Sequence, residues 1–425
     1  MNCCSRRRAV LIIAICLTFF ANWRVSAALA NPPTQAELES RIKDLAGRVE
    51  KTAGGAIVAV DLSNRPATDS DLKLLAAAPG LQKLLLWGPD ITDAGLEQLA
   101  PLDQLAELTL DNTMVTDAGL PKLDQLDNLK SLVFRRSIEV TNDGMEAVAK
   151  LPKLTYLTLL YTRVTDSGLA HLKHAKQLRL LDLRGSKVGD KGLAELSGMK
   201  SLVALKLRSA SVSDAGVAHL QDLKQLRGLA LEDAILSDEG MQVVGGLVNL
   251  DDLDLMRVPI SDDGVQALAP LAKMRQLILR GTYVGDDGLA HLAGMKDLRK
   301  LDLSETGIGD DGVAQLAGLS QLTHLNLWNT MLGDDGVQHV AKLPALVALN
   351  LNATAISDDA LAVLSKMPKL ASLSLDETGV TDEGLKHLES ASQLRQLSLK
   401  LTQVTPAGVA ALQAALPELK IAFDR

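Results

Sequence analysis

From about Leu81 to Pro417 the aliphatic residues return with a period of 24, and within each period they keep two different rhythms. The signature reads LxxLxLxxTxV[TSG]DxG[LV]xxL. One copy runs Leu154, Leu157, Leu159, Thr162, Val164, Thr165, Asp166, Gly168, Leu169, Leu172, and another runs Leu298, Leu301, Leu303, Thr306, Ile308, Gly309, Asp310, Gly312, Val313, Leu316. In the LxL segment apolar and variable residues alternate, which predicts a short strand with its leucines inward. In the xGLxxL segment the apolar residues stand three or four apart, which predicts a short helix. A strand and a helix in 24 residues enclose no core alone, so copies stack strand beside strand at about 4.8 Å. The product is an α/β solenoid of about 14 repeats, led by a half copy at Val60-x-Leu62 with Thr68 and Asp69. The third copy carries one extra residue, where RRSIEVTNDG follows Phe134, and a local bulge is expected there.

Three positions in the period have direct physical readings. The residue after LxLxx is a hydroxyl in Thr113, Thr162, Ser186, Thr282, Thr306, Thr330, Thr354, Thr378 and Thr402, suited to bonding backbone groups left exposed where the chain leaves the strand. The [TSG] position is the helix N-cap, and the Asp after it favours the positive end of the helix dipole. In the last copy Pro406 replaces that Asp, and proline suits the first helical position.

Stacking leaves an apolar face at each end. Thr34-Gln35-Ala36-Glu37 reads as a capping box, and Leu38, Ile42, Leu45 and Val49 recur at helical spacing before Gly54-Gly55, so residues 31–55 are expected to form a capping helix. The solenoid is assigned to 56–417 and a terminal strand to 418–425, where Leu419, Ile421 and Phe423 alternate with Lys420 and Asp424. That cap is thin, and self-association through it is one expectation.

The first 30 residues change the picture. Met1–Arg8 is basic, Ala9–Phe20 is an apolar run of 12, and Ser26–Ala30 reads SAALA, which together match a cleavable export signal with Asn31 as the new terminus. Twelve apolar residues are too few to cross a hydrocarbon core, so no transmembrane anchor is expected after cleavage, and the expected location is periplasmic or extracellular. Cys3, Cys4 and Cys16, the only cysteines, all fall in this segment, which leaves no thiol for disulfides or cysteine chemistry. Composition is globular, with 47% apolar, 23% charged and only 2% aromatic residues. Without Arg6, Arg7, Arg8 and Arg24 the chain has 40 basic and 52 acidic residues, a net of −12, which argues against nucleic-acid binding.

On these motifs the chain resembles bacterial leucine-rich repeat proteins. Its ITDxGL-type half is similar to the cysteine-containing subclass best known from F-box substrate receptors, with Thr in place of the Cys. The resemblance implies a right-handed horseshoe with parallel strands on the concave face and helices on the convex face. The absence of an F-box segment, together with the export segment, speaks against ubiquitin-ligase adaptor work.

In such a solenoid the residues between and just after the LxL leucines line the concave face, so those columns are the candidate site. Trp87 and Trp328 share one column and are read either as exposed anchors for a ligand or as rings packed over a neighbouring strand. Arg135, Arg136, Arg184, Lys206 and Arg208 cluster with Tyr161 beside them, and Arg280 lies further along. These cations either hold an anionic group or are neutralised by Asp182, Glu232 and Asp233. The pairs Asp262-Asp263 to Asp358-Asp359 recur in five successive copies and read as helix caps or, in a metal-dependent adhesin, as a calcium ladder. His171, His219, His291, His339 and His387 share a helix column too widely spaced for one metal. No GxSxG, HExxH, P-loop or dinucleotide fingerprint occurs, so neither catalysis nor a cofactor is expected. The expected function is a non-catalytic exported scaffold for a protein or polysaccharide. A self-assembling envelope protein is the alternative.

Overall fold

The computed structural model describes residues 32–424. The export segment, its cysteines and the expected terminus at Asn31 lie outside the described residues. Helix α1 (Gln35–Asp44) opens with the capping box: the Glu37 carboxylate accepts the Thr34 N–H at 2.7 Å, and the Thr34 hydroxyl oxygen accepts the Glu37 N–H at 3.3 Å. Leu38, Ile42 and Leu45 are buried against the first repeat. The helix does not continue through Val49. The chain turns at Ala46 (φ 53°) and Gly47, where a Cβ would stand 2.6 Å from Leu62 Cδ2. Residues Arg48–Lys51 then form β1, antiparallel to β2 (Ile57–Asp61), and Gly54-Gly55 closes a hairpin instead of ending a helix. Val49 stands between charged Arg48 and Glu50, a period of two that suits a strand, and β1 covers the edge of β2.

The remaining strands run parallel in chain order as one open sheet. In the amino-terminal half they are β3 (Lys83–Trp87), β4 (Glu107–Asp111), β5 (Ser131–Arg135), β6 (Tyr156–Leu160), β7 (Leu180–Asp182), β8 (Ala204–Arg208) and β9 (Gly228–Glu232). In the carboxyl-terminal half they are β10 (Asp252–Asp254), β11 (Gln276–Ile278), β12 (Lys300–Asp302), β13 (His324–Asn326), β14 (Ala348–Asn350), β15 (Ser372–Ser374), β16 (Gln396–Ser398) and β17 (Lys420–Ala422). One inward column runs in unbroken register from Leu84 through Leu157 and Leu253 to Ile421. The extra residue of the third copy makes no bulge, because β5 and β6 pair continuously from Ser131↔Tyr156 to Arg135↔Leu160. It is absorbed in the turn after the strand, where Val140 N–H closes on Ser137 C=O and Ile138 projects into solvent. A loop accepts an insertion that a two-sided ladder would have to break for.

In most repeats strand length follows the residue between the two inward residues. Where it is Asp182, Asp254, Asp302, Asn326 or Asn350, its side-chain oxygen accepts the N–H two residues on at 2.9–3.2 Å. That N–H is lost to the ladder, and all five strands stop at three residues. Strand β11, which carries Ile278 at that position, lies between two of them and is as short, and in the equally short β15 and β16, which carry Ser374 and Ser398, the N–H goes to Asn352 and Asp376 of the preceding repeat. Where the position holds Leu85, Thr109, Val133, Thr158, Lys206 or Ala230, the strands have five residues. Each shortened ladder leaves a leucine carbonyl without its donor, and the column hydroxyl supplies one: Thr282, Thr306, Thr330 and Thr354 donate to Leu279, Leu303, Leu327 and Leu351 at 2.5–2.8 Å.

The Asp after each helix cap does more than meet the helix dipole. From Asp69 to Asp382 it accepts the backbone N–H of the next repeat's cap residue at 2.7–2.9 Å, in fourteen successive rungs of which one uses Asn142. Where the cap is Ser or Thr its hydroxyl also donates, as Ser357 does to Asp334 at 2.6 Å. The glycine two residues after the Asp lets the repeats approach: at Gly312 a Cβ would lie 2.3 Å from Asp286 Oδ1. This rail and the leucine columns fix every outward side chain at a set place.

Candidate functional site

The outward face of the sheet carries side chains that the core does not consume, and its two halves differ. Across β5–β7 apolar and aromatic side chains stand among Ser131, Arg135, Thr158 and Asp182: Val133, Leu160 and Leu180 are half-buried, and Tyr156 is 44% exposed. Tyr161, one residue past β6, is 54% exposed and sits in the left-handed region at φ 53°. Its ring lies over Gly185, where a Cβ would come within 2.4 Å of Tyr161 Cδ1, so the glycine of the next repeat is what gives the ring its place. Across β12–β15 the matching residues are Asp302, Asn326, Asn350 and Ser374, which line a shallow groove together with Ile278 and the edges of Leu301, Leu325 and Leu349.

The two tryptophans stand in the expected column, but neither projects freely. Both are half-buried. Trp328 has the Arg280 guanidinium 4.9 Å from its ring centroid, and Arg280 is also held by Glu305 at 2.6 Å. For Trp328 the packed arrangement is therefore the one observed.

The basic cluster is largely engaged by acids. Arg136 pairs with Asp111 at 2.9 Å, Arg184 with Asp182 at 2.8 Å and Glu232 at 3.5 Å, and Arg208 with Asp233 at 2.7 Å. Asp233 also receives Arg257. The hydrogen bonds from Arg257 and then Arg208 hold its carboxyl down at about 2, against some opposing burial. The hydrogen bond to Asp182 raises Arg184. Exposed Arg135 and half-buried Lys206 have no ion-pair partner among the described residues. Deeper in the face, burial pushes Asp254 up to about 6, with the charges of Glu232 and Asp252 adding and the Met256 N–H and Arg184 opposing. Burial also raises Asp252. The network is a neutralised patch of alternating sign, with Tyr161 at its rim.

Other candidates resolve differently. In the five Asp pairs the first carboxylate of each is a rung of the rail, while the second, as in Asp311 and Asp335, is exposed. The five histidines lie half-buried or exposed on the outer helices, away from the concave face. One feature of the surface was not drawn from the sequence: Arg227, Lys273, Arg275 and Arg299 gather on the loops that feed β9–β12. The signal was present as basic residues immediately before the strands, a position usually treated as connection.

No helix among the described residues is long and apolar enough to cross a membrane. A family model described as a leucine-rich repeat region matches residues 160–422. Among solved structures, an internalin from Listeria monocytogenes aligns with a TM-score of 0.51 at 21% identity, covering 87% of this chain and 98% of its own. A leucine-rich repeat protein of Leptospira interrogans aligns at 0.52 and 18% identity, covering 82% and 97%. No curated protein matches the sequence. At such identities the structural likeness shows the fold alone. The family match spans more than half the residues, and the chain belongs to the leucine-rich repeat family.

Proposed function

We propose that this chain is an exported, non-catalytic scaffold that holds a protein ligand against the amino-terminal half of its concave face. The observation that carries the reading is the apolar and aromatic patch of Val133, Tyr156, Leu160, Tyr161 and Leu180, side chains that lie near one another on the successive strands β5–β7 of the outward face. Exposed tyrosines beside arginines make the composition of protein-binding hot spots, and leucine-rich repeat domains commonly serve as protein-binding scaffolds. Arg135, which has no ion-pair partner among the described residues, flanks the patch and would meet a carboxylate at the ligand's rim. Export rests on the basic, apolar and SAALA segments of residues 1–30. The ITDxGL-type repeat, with Thr for Cys, is compatible with a bacterial envelope protein.

A photo-crosslinking residue placed at Tyr156 or Tyr161 in the exported full chain tests the reading. One protein adduct is expected at both positions and none at His291 on the convex side. Adducts of equal yield at His291, or none at either tyrosine, would overturn the concave site. A polysaccharide adduct instead of a protein would replace the ligand class. Mass measurement of the exported protein checks the signal separately, with Asn31 as the expected first residue.

A further inference from the structure

The two ends of the sheet are finished differently. At the amino-terminal end β1 covers β2, exposes Arg48, Glu50 and Lys51, and breaks register between Glu50 and Lys51; charge and irregularity of this kind blunt a free edge. At the other end β17 pairs with β16 in the register Gln396↔Lys420, Leu397↔Ile421, Ser398↔Ala422, and no strand among the described residues pairs with its far side. The Lys420 N–H donates to the Arg395 carbonyl and the Ala422 carbonyl accepts the Leu399 N–H, each at 2.9 Å. Peptide groups alternate in direction along a strand, so the N–H and C=O of Ile421 and of Phe423 face the open edge. Leu419 is closed off: its N–H donates to the Leu416 carbonyl at 3.1 Å, and its carbonyl accepts the Gln413 amide at 3.0 Å. The side chains are sorted by face. Ile421 and Phe423 are half-buried and packed on the core, while Lys420, Ala422 and, by alternation, Asp424 stand exposed on the concave side. The last helix, Pro406–Ala415, holds no charged residue and exposes Ala410, Ala411 and Ala414, so no charge on it repels a second such end.

We propose that a second copy of this chain closes this edge, β17 against β17, antiparallel about a two-fold axis at Ala422. The free groups select the register, because antiparallel strands exchange N–H and C=O only between residues that both face the seam. Ile421 opposite the partner's Phe423, repeated by the axis, engages every free group named above. The same register puts Lys420 opposite the partner's Asp424 twice on the concave side, and Ile421 beside the partner's Phe423 twice on the core side. Ala422 meets its own copy at the position where Cα atoms approach to about 4.5 Å, and a methyl fits there. Slipping by one pair in one direction sets Phe423 opposite Leu419, whose groups are taken, and Asp424 opposite Glu418, a like charge. Slipping the other way sets Asp424 opposite Ala422 and parts both ion pairs. A single charge on an edge guards it, whereas a Lys and an Asp four residues apart make this edge complementary to itself. The axis stands normal to the sheet, so both concave faces open to the same side. The seam shares no residue with the tyrosine patch, and either can fail without the other.

Sedimentation of the purified chain over a range of concentrations tests the seam, and a dimer in exchange with monomer is expected. Lys420→Glu and Asp424→Lys each set like charges against one another at both ends of the seam, and each should weaken association at least about tenfold. The double variant K420E/D424K restores opposite charges and should associate within about threefold of wild type. Mixing the two single variants is the most specific arm. In the mixed pair both contacts again join opposite charges, so a heterodimer should form where neither variant pairs with itself, a result that also requires both to be folded. A chain that stays monomeric at about 100 μM would overturn the proposal. So would a dimer that survives unweakened in both single variants, or a mixture that fails to associate.

Discussion

The two halves of the sheet share one interior and differ on the surface. Leucines at the same two inward positions, with Phe134 replacing one in β5, are buried from β3 to β16, yet β3–β6 pair over five residues while β10–β16 pair over three. In β10, β12, β13 and β14 the cause is the outward position between the leucines, where Leu85, Thr109, Val133 and Thr158 leave the backbone alone and Asp254, Asp302, Asn326 and Asn350 turn back onto it; in β15 and β16, which carry Ser374 and Ser398 there, Asn352 and Asp376 of the preceding repeat take the same N–H. Strand β7 confirms the rule from the wrong side of the divide: it lies in the amino-terminal half, holds Asp182, and is short. What is exposed decides how long the ladder runs. The same choice decides what the face can offer, because an Asn whose oxygen is committed to its own backbone has less left for a ligand.

If the interior is common to both halves, Leu132→Ala in β5 and Leu325→Ala in β13 should destabilise alike, each by about 2–5 kcal/mol, because each empties a fully enclosed position. Chemical denaturation measures both. A difference of several kcal/mol would mean that the shorter strands hold a looser core. The hydroxyl column should divide the halves. In the carboxyl-terminal half Thr330 donates to the Leu327 carbonyl at 2.8 Å, whose ladder donor has been taken by Asn350. Thr330→Val leaves that buried carbonyl bare and should cost about 1–3 kcal/mol. Thr113 in the amino-terminal half bonds Ser137 instead, while the ladder continues beside it through Asp111↔Arg135, and Thr113→Val should cost distinctly less. Equal losses would break the link between strand length and the hydroxyl.

The period of 24, the inward leucines, the capping box at Thr34 and the carbonyl-seeking hydroxyls were legible because each is a local or strictly repeated constraint. What escaped depends on contacts one repeat away. The Asp of the cap reads as a dipole partner within its own helix, and only stacking shows it accepting the next repeat's N–H. Val49 fits helical spacing from Leu38 as well as it fits a strand, and the free edge of β2 decided the matter. Neutralisation of Arg184 and Arg208 by Asp182, Glu232 and Asp233 is one of the two readings the sequence allows, while the Asp111 partner of Arg136 is not among those acids, since sequence gives the column of each charge but not the reach of its side chain. Arg275 and Arg299 went unread because they precede the strands.

The acidic centre between the halves gives a smaller effect with a defined sign. Asp254 has its carboxyl raised to about 6 by burial, against an unfolded value near 3.8, so the fold favours its protonated form. The associated stability is fully present below about pH 4 and lost as pH rises through about 6. Asp254→Asn keeps an oxygen for the Met256 N–H and removes the charge, and should raise stability near pH 7 by about 1 kcal/mol while flattening that part of the profile. Asp233 runs opposite: held at about 2 by Arg257 and Arg208, it contributes stability that is lost as pH falls from about 4 through 2. Thermal melting across pH 3–8 separates the two, and an unchanged profile in Asp254→Asn would remove Asp254 as its source.

The smallest stability change tests the functional half of the comparison. In both halves the residue two after the second inward leucine stands in the left-handed region in most repeats, Tyr161 at φ 53° and Leu401 at φ 55° among them. Glycine relieves about 1–2 kcal/mol of steric cost there but adds about 0.5–1 kcal/mol of unfolded-chain entropy, and Tyr161→Gly also forfeits the ring's contact with Gly185. The net change in folding stability should stay within about 1 kcal/mol of zero for Tyr161→Gly and for Leu401→Gly alike. Ligand capture should not be shared: it should fall at least about tenfold for Tyr161→Gly, as for loss of an aromatic hot spot, and persist for Leu401→Gly. Two stable variants that differ only in binding would tie recognition to the aromatic half of the face, and two that bind alike would move the ligand off it.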